Sequence, residues 1–158
     1  MIYRQKMTTQ HHDILSDKNG VGALILSSKT GRVLLNLRAG HKSHPTCWSL
    51  WGGMMETGES PKETLLRELS EEMGQLPTII KLQPFDVYRS GDGHFKYFSF
   101  VCIVADEFVP VLNSESAGYC WLDLGVWPKP MHQGAKISFG DTDALSKLQS
   151  ILKEIQAK

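Results

Sequence analysis

Over positions 52–75 the chain reads GGMMETGESPKETLLRELSEEMGQ, and this stretch limits the possible folds more tightly than any other. Glu56, Glu59, Glu63, Glu68, Glu71 and Glu72 crowd into it behind a glycine pair, Gly52 and Gly53. Ser60 suits an N-cap, Pro61 suits the first helical position, and Glu63 after them completes a capping box. Gly74 suits a left-handed C-cap, so the pattern predicts a helix over 61–73. Leu65, Leu69 and Met73, with Leu66 beside them, form one apolar stripe. At about 100° per residue, Glu68 and Glu72 border that stripe and Glu71 turns farther toward solvent. Like charges at these helical spacings repel by roughly a few tenths of a kcal/mol per pair. Such a face calls for a cation.

The remaining pattern places strands around this helix. Residues 21–27, VGALILS, fit a buried strand, and Lys29, Thr30 and Gly31 turn the chain into a second strand over 32–37. Arg38 stands at its end, 39–46 reads as a loop, and 47–51, CWSLW, reads as a short third strand entering the glycine pair. Downstream, 78–88 reads as a strand, Ser90–Gly93 as a hairpin turn, and 95–104, FKYFSFVCIV, as a central strand. A connection over 105–116 carries Glu115, 119–122 is another short strand, and 125–140 reads as loop. Asp141 or Thr142 caps a final helix with Leu145, Leu148, Leu152 and Ile155 on one face. Strands, helix, strands, helix predicts an α+β layered fold.

With 158 residues, the pattern fits a single domain over 1–158, its first 19 residues an extended arm or edge strand. The 17 basic and 17 acidic residues cancel, so no general attraction to nucleic acid or membrane surfaces is expected. Cys47, Cys102 and Cys120 are odd in number and lack metal-site spacing; Cys102 and Cys120 read as buried free thiols, which favours a reducing cytoplasm. No apolar run is long enough for a signal peptide or a membrane span.

Carboxylates on successive helical turns beside a glycine turn with available carbonyls offer only oxygen donors. Mg²⁺ and Mn²⁺ prefer that environment, and such cations recruit substrate phosphates. Arg67 would orient a neighbouring glutamate through a bidentate bond, and Glu59 is placed to receive it. The competing account is a solvated surface helix. Isolated features would favour that account; the complete ordered pattern does not.

That ordered pattern resembles the Nudix box, G-x5-E-x7-R-E-U-x-E-E-x-G-U, over residues 53–75. Gly53, Glu59, Arg67, Glu68, Leu69, Glu71, Glu72 and Gly74 fall on its positions. Gln75 departs at the last apolar position, and Trp51 stands where many relatives carry proline before the two glycines. The resemblance implies a Nudix-type α/β/α sandwich around a mixed β-sheet. It also implies MutT-like hydrolysis of a nucleoside diphosphate derivative with Mg²⁺ or Mn²⁺. Glu68, Glu71 and Glu72 match the family's metal-binding glutamates, and the Gly52 carbonyl matches its backbone ligand. Glu115 fits an acidic residue that some relatives add from a later loop. Glu68, Glu71 and Glu115 stand as general-base candidates, and Arg38 resembles a position that contacts substrate phosphate.

Outside the box, His41 and His44 lie in the loop after Arg38, where exposed histidines are common. Among Trp48, Trp51, Tyr97, Phe98 and Trp121 a base-stacking partner could be found, though strand aromatics usually pack in cores. Trp51, beside Gly52, is the candidate substrate contact; its ring would either shape the pocket or cover the sheet end. Substrates open to this reading are a nucleoside triphosphate, ADP-ribose or another nucleotide sugar, a dinucleoside polyphosphate, and a capped RNA end, which the charge balance does not support. The segments GHKSHPTCW and WPKPMHQG resemble GDP-mannose mannosyl hydrolases, but those lack the standard box. A catalytically silent nucleotide-binding or sensor domain is the alternative, and retention of every box glutamate argues against it. Family members often dimerise, and no feature of this chain fixes an interface.

Overall fold

The first strand, β1 (Lys18–Ser27), is apolar on both faces because it lies inside the sheet with helices on either side. Ala23 and Ile25 point to one core and Leu24 and Leu26 to the other. That explains an unbroken apolar run where a one-sided strand would alternate. The computed structural model describes residues 18–158, so the expected arm over 1–19 lies outside the described residues except for Lys18 and Asn19, which open β1.

Six further strands follow among the described residues: β2 (Arg32–Arg38), β3 (Trp48–Ser49), β4 (Trp51–Met54), β5 (Ile79–Arg89), β6 (Phe95–Val104) and β7 (Ser116–Asp123). The main sheet order is β3-β2-β1-β6-β5, with β4 also pairing β1 and β7 pairing β2. β1 runs parallel to β6 and antiparallel to β2 and β4, so the sheet is mixed. The bounds of β6 agree with those read from the sequence, and it occupies the interior position that its apolar composition requires.

Helix α1 (Pro61–Met73) packs Leu65, Leu69 and Met73 with Trp51, Phe100 and Trp121 on one side of the sheet. Ser60 caps it, accepting from the Glu63 amide at 3.2 Å, and Gly74 ends it at φ 75°. On the opposite side, α2 (Gln133–Phe139) and α3 (Thr142–Gln156) bury Ala135, Phe139, Leu148 and Ile151 against Leu24, Leu35 and Ile103. The expected α/β/α sandwich is present. Asp141 caps α3 through a 2.7 Å bond from the Ala144 amide. Among the described residues no helix is long and apolar enough to cross a membrane.

Four expectations are corrected. The single strand expected over 47–51 is two, because β3 pairs with β2 whereas β4 leaves it to pair with β1. β1 and β2 share just two partnered positions, Ile25 with Leu34 and Leu26 with Val33, so the two strands diverge and Leu50 carries the chain between them. The loop expected over 125–140 contains α2, whose entry is anchored by backbone bonds from Trp48 to Pro130 and from His132 back to Trp48. Cys120 is half-buried, not buried, while Cys102 is sealed in the core and its thiol is pushed up to about 12 by burial. Trp51 is fully buried beneath α1, with its indole nitrogen donating to the Leu34 carbonyl at 3.0 Å. It therefore covers the sheet and is not a substrate contact.

Candidate active site

The register of β1 with β4 sets Gly22 opposite Gly52 and Val21 opposite Gly53. These glycines leave the end of the sheet bare of side chains, and both partners of each close approach need that bareness. A Cβ on Gly52, whose φ is 152°, would collide with the Val21 carbonyl. One on Gly53 would come within 2.6 Å of the Glu68 carboxyl carbon. Gly53 is thus the cradle in which the Glu68 carboxylate rests.

Arg67 sits at the centre of the acidic face. Its Nε and Nη2 donate to the two carboxylate oxygens of Glu59 at 2.8 and 2.9 Å, and its Nη1 donates to Glu68 Oε1 at 2.9 Å. Nη2 also reaches the Met54 carbonyl at 3.3 Å, and Nη1 lies 3.5 Å from Glu71 and 3.9 Å from Glu56. Glu59 is held further by the Glu56 amide at 2.8 Å and the Thr64 hydroxyl at 3.0 Å. The Arg67 bonds, with the Glu56 amide, hold Glu59 down to about 2. Part of the cation that the helix face demands is therefore built into the helix.

Because that folded-state value is depressed, the stability from this pair is fully present above the ordinary carboxylate range. It is lost as pH falls from about 4.5 through about 2. Thermal unfolding of the wild type should lose more midpoint than Glu59→Gln across that acid window; parallel pH profiles would count against the pair.

Glu72 is a different case. It is 5% exposed, and its one hydrogen bond among the described residues comes from the Gly52 amide to Oε1 at 2.9 Å. Burial raises its carboxyl to about 8, with the charges of Glu68 and Glu115 adding to the rise. Glu68 is also raised, first by burial and then by Glu71 and Glu115, against the lowering effect of Arg67. Glu115 arrives from the loop before β7. That loop is tied to α1 by Asn113, which donates to the Glu71 carbonyl at 3.1 Å and accepts from the Glu115 amide at 2.9 Å. Lys42 Nζ meets Glu115 Oε1 at 3.1 Å. Thus Glu72 feels the charges of both Glu68 and Glu115, while Glu71 lies at the solvent side with a side chain 55% exposed.

No group of three or more His, Cys, Asp or Glu side chains among the described residues stands ready to hold a metal ion. Arg67 accounts for this by drawing Glu68 and Glu71 toward its guanidinium. The donor set nevertheless fits a hard cation. It consists of oxygen alone, includes a buried carboxylate with a single donor, and frames Glu68 in a glycine cradle.

A cleft of about 780 Å³ begins at this acidic end, where Gly52, Gly53, Arg67, Glu68 and Glu115 line it. Arg38 and Lys42 flank it. The Arg38 guanidinium is held by the Ser43 carbonyl at 2.9 and 2.7 Å, and by the Ser43 hydroxyl at 3.1 Å. Tyr88, Phe95, Tyr97, His132 and Gln133 line the same cleft. His44 lines it too and meets His132 edge to face at 5.2 Å between ring centroids; His41 is not part of it. His132 caps α2, its Nδ1 accepting from the Gly134 amide at 3.0 Å, and burial with nearby Arg38 and His44 keeps its pKa low. Of the five candidate stacking aromatics, the cleft takes Tyr97 and leaves the others to the two cores. Lys42, Tyr88, Phe95 and Gln133 were not individually singled out in the sequence, though Lys42 lies in the segment GHKSHPTCW. The segment WPKPMHQG was noted, and His132 and Gln133 lie in it.

Comparison with known proteins gives the class to which this fold belongs. The NUDIX domain profile matches residues 17–139. The dihydroneopterin triphosphate diphosphatase of Haemophilus influenzae is 31% identical over 67% of this chain and 74% of its own. A putative 8-oxo-dGTP diphosphatase 3 of Mycobacterium tuberculosis is 31% identical over 70% of this chain and 53% of its own, so the chain spans about half of that relative. The nucleoside triphosphatase NudI of Escherichia coli is 33% identical over 49% of this chain and 62% of its own. A MutT NUDIX hydrolase from Burkholderia pseudomallei superposes with a TM-score of 0.62 at 22% identity, covering 79% of this chain and 97% of that one. RenU, a Nudix hydrolase from M. smegmatis, gives 0.63 at 22% identity, covering 87% and 86%. Both share the fold. The chain belongs to the NUDIX family, the pyrophosphohydrolase class to which its relatives' names point.

Proposed function

We propose that the protein hydrolyses the pyrophosphate linkage of a nucleoside triphosphate or a similar heterocyclic triphosphate, with Mg²⁺ or Mn²⁺ as cofactor. The observation that carries this reading is one cleft lined by both carboxylates and aromatic rings. A nucleotide sugar or dinucleoside polyphosphate shares the scissile linkage, but the three relatives are all named for triphosphates. The free thiols Cys47, Cys102 and Cys120 suit a reducing cytoplasm.

The Gly52 carbonyl with Glu68, Glu71, Glu72 and Glu115 would hold the cation. When bound, it would neutralise charge on the phosphate oxygens and make water more acidic. Arg38 and Lys42 supply positive charge to the chain of phosphates at the cleft rim. Water attacks one phosphorus, its proton passes to a carboxylate, and the bridging P–O bond breaks to release two phosphate-bearing products. Glu68 and Glu115 are the base candidates that line the cleft; Glu71 does not line it. Arg67 keeps Glu68 and Glu59 in place and excludes alternative rotamers.

A panel of nucleoside triphosphates, 8-oxo-dGTP, ADP-ribose, other nucleotide sugars and dinucleoside polyphosphates, each with Mg²⁺ or Mn²⁺, tests this. Product analysis by ion-exchange chromatography in ¹⁸O water should show a labelled phosphate product from a triphosphate. Turnover of ADP-ribose alone would overturn the triphosphate assignment, and no turnover across the panel would favour a silent binding domain.

A further inference from the structure

Tyr97 is built into the cleft floor with unusual clearance. It pairs with Gly20 of β1 and with Tyr88 of β5, and its ring lies along β1. A Cβ on Gly20 would lie 3.1 Å from its Cδ2, one on Gly22 would run into its hydroxyl, and one on Gly134 of α2 would lie 3.5 Å from its Cζ. Gly22, and to a lesser degree Gly20, thus makes room for the ring, and Gly134 lies in ordinary contact range of it. Gly22 in turn faces Gly52, whose amide holds Glu72, so the ring's tip reaches toward the acidic end while its base adjoins Phe95.

That tip carries a hydroxyl with no hydrogen-bond partner among the described residues. No side-chain nitrogen or oxygen sealed from solvent lacks a partner among them either. The Tyr97 oxygen is therefore open to the cleft it lines. Arg38 and Glu72 are the charges that act on it. Burial, and then the Glu72 charge, hold the phenol protonated well above its usual range, which leaves it a neutral donor.

We propose that Tyr97 is a substrate-positioning contact: its hydroxyl donates a hydrogen bond to a phosphate oxygen of the bound triphosphate, between the carboxylates and the aromatic rings that line the cleft. This rests on the triphosphate reading of the cleft. The ligand group is anionic and rich in acceptors, which suits a donor that carries no charge of its own and repels no cation. The ring continues toward Phe95 and Tyr88, so one side chain fixes how far the phosphates stand from a heterocycle seated against those rings.

Tyr97→Phe removes the oxygen and keeps the ring. Binding of the four α,β-methylene ribonucleoside triphosphates, read by calorimetry with Mg²⁺, should weaken by about 10- to 100-fold for whichever the wild type binds, the loss expected for one hydrogen bond to a charged group. Because the hydroxyl has no protein partner, the unfolding midpoint of the variant should equal or exceed that of the wild type, and Mn²⁺ affinity in the absence of nucleotide should be unchanged. Equal nucleotide affinity in the two proteins would overturn the proposal, as would a lowered unfolding midpoint, which would mark the hydroxyl as structural. Binding of none of the four, with no triphosphate turned over in the substrate panel, would overturn the triphosphate reading itself, a result readable before the variant is made.

Discussion

Replacing Glu72 by Gln should reduce turnover by roughly 10²–10³-fold, the scale on which one preorganised electrostatic group acts, while leaving the fold intact. The two halves of this expectation come from the same geometry. Glu72 is buried, and the Gly52 amide donates to one of its oxygens at 2.9 Å. A glutamine carbonyl accepts that bond equally well, and it matches the shape of the protonated acid that burial favours. What the variant loses is a charge available to a cation. Steady-state kinetics with Mg²⁺ and Mn²⁺, paired with the urea midpoint of metal-free protein, separate the two effects. Near-normal turnover would remove Glu72 from the machinery, and a collapsed midpoint would mean that its charge is structural.

Arg67→Lys should lower kcat by about 10- to 100-fold, as expected when a group that orients ligands is lost, and should cost about 1–3 kcal/mol of stability. Lysine keeps the positive charge but not the planar fork. The fork is what meets both oxygens of Glu59 while a third nitrogen branch holds Glu68 at 2.9 Å. A compact ammonium can satisfy one of these partners well, which leaves Glu68 free to swing from its glycine cradle. The expected signature is a fall in kcat with substrate affinity largely retained, since Arg67 acts through Glu68. Unchanged kcat alongside a lowered unfolding midpoint would show that Arg67 serves the fold alone.

The helix and its charged face were legible because their causes are local. Ser60, Pro61 and Gly74 act on the backbone beside them, and the Leu65–Leu69–Met73 stripe fixes which way the glutamates point. The residue-level role of Arg67 was half legible: a partner in Glu59 could be read from spacing, but the reach to Met54 and Glu56 depends on how β4 and the following turn fold back. Trp51 stood as a candidate substrate contact, with covering the sheet end as the other reading, because a tryptophan beside a glycine turn can do either. Which strand face it occupies follows from β4 pairing with β1, a long-range fact. Helix α2 was missed for a similar reason. Seven residues between prolines and glycines carry little helical signal, and the element exists because His132 caps it and because Ala135 and Phe139 find a core. Tyr97 lies within an aromatic strand where nothing local marks one ring as exposed to a cleft.

The placement of β1 has a consequence for how the chain reaches this structure. This strand receives β2 and β4 early in the sequence, but its parallel partner β6 ends at Val104, on the far side of helix α1. Until that partner is synthesised, the edge of β1 that β6 will cover offers unsatisfied amides and carbonyls from alternate residues, flanked by apolar side chains on both faces. Closing it needs pairs as far apart as Lys18 with Phe95, about half the chain, which slows folding in the manner of other non-local pairings. A nascent chain halted before β6 would expose an adhesive edge, so its fate is association or proteolysis instead of partial activity.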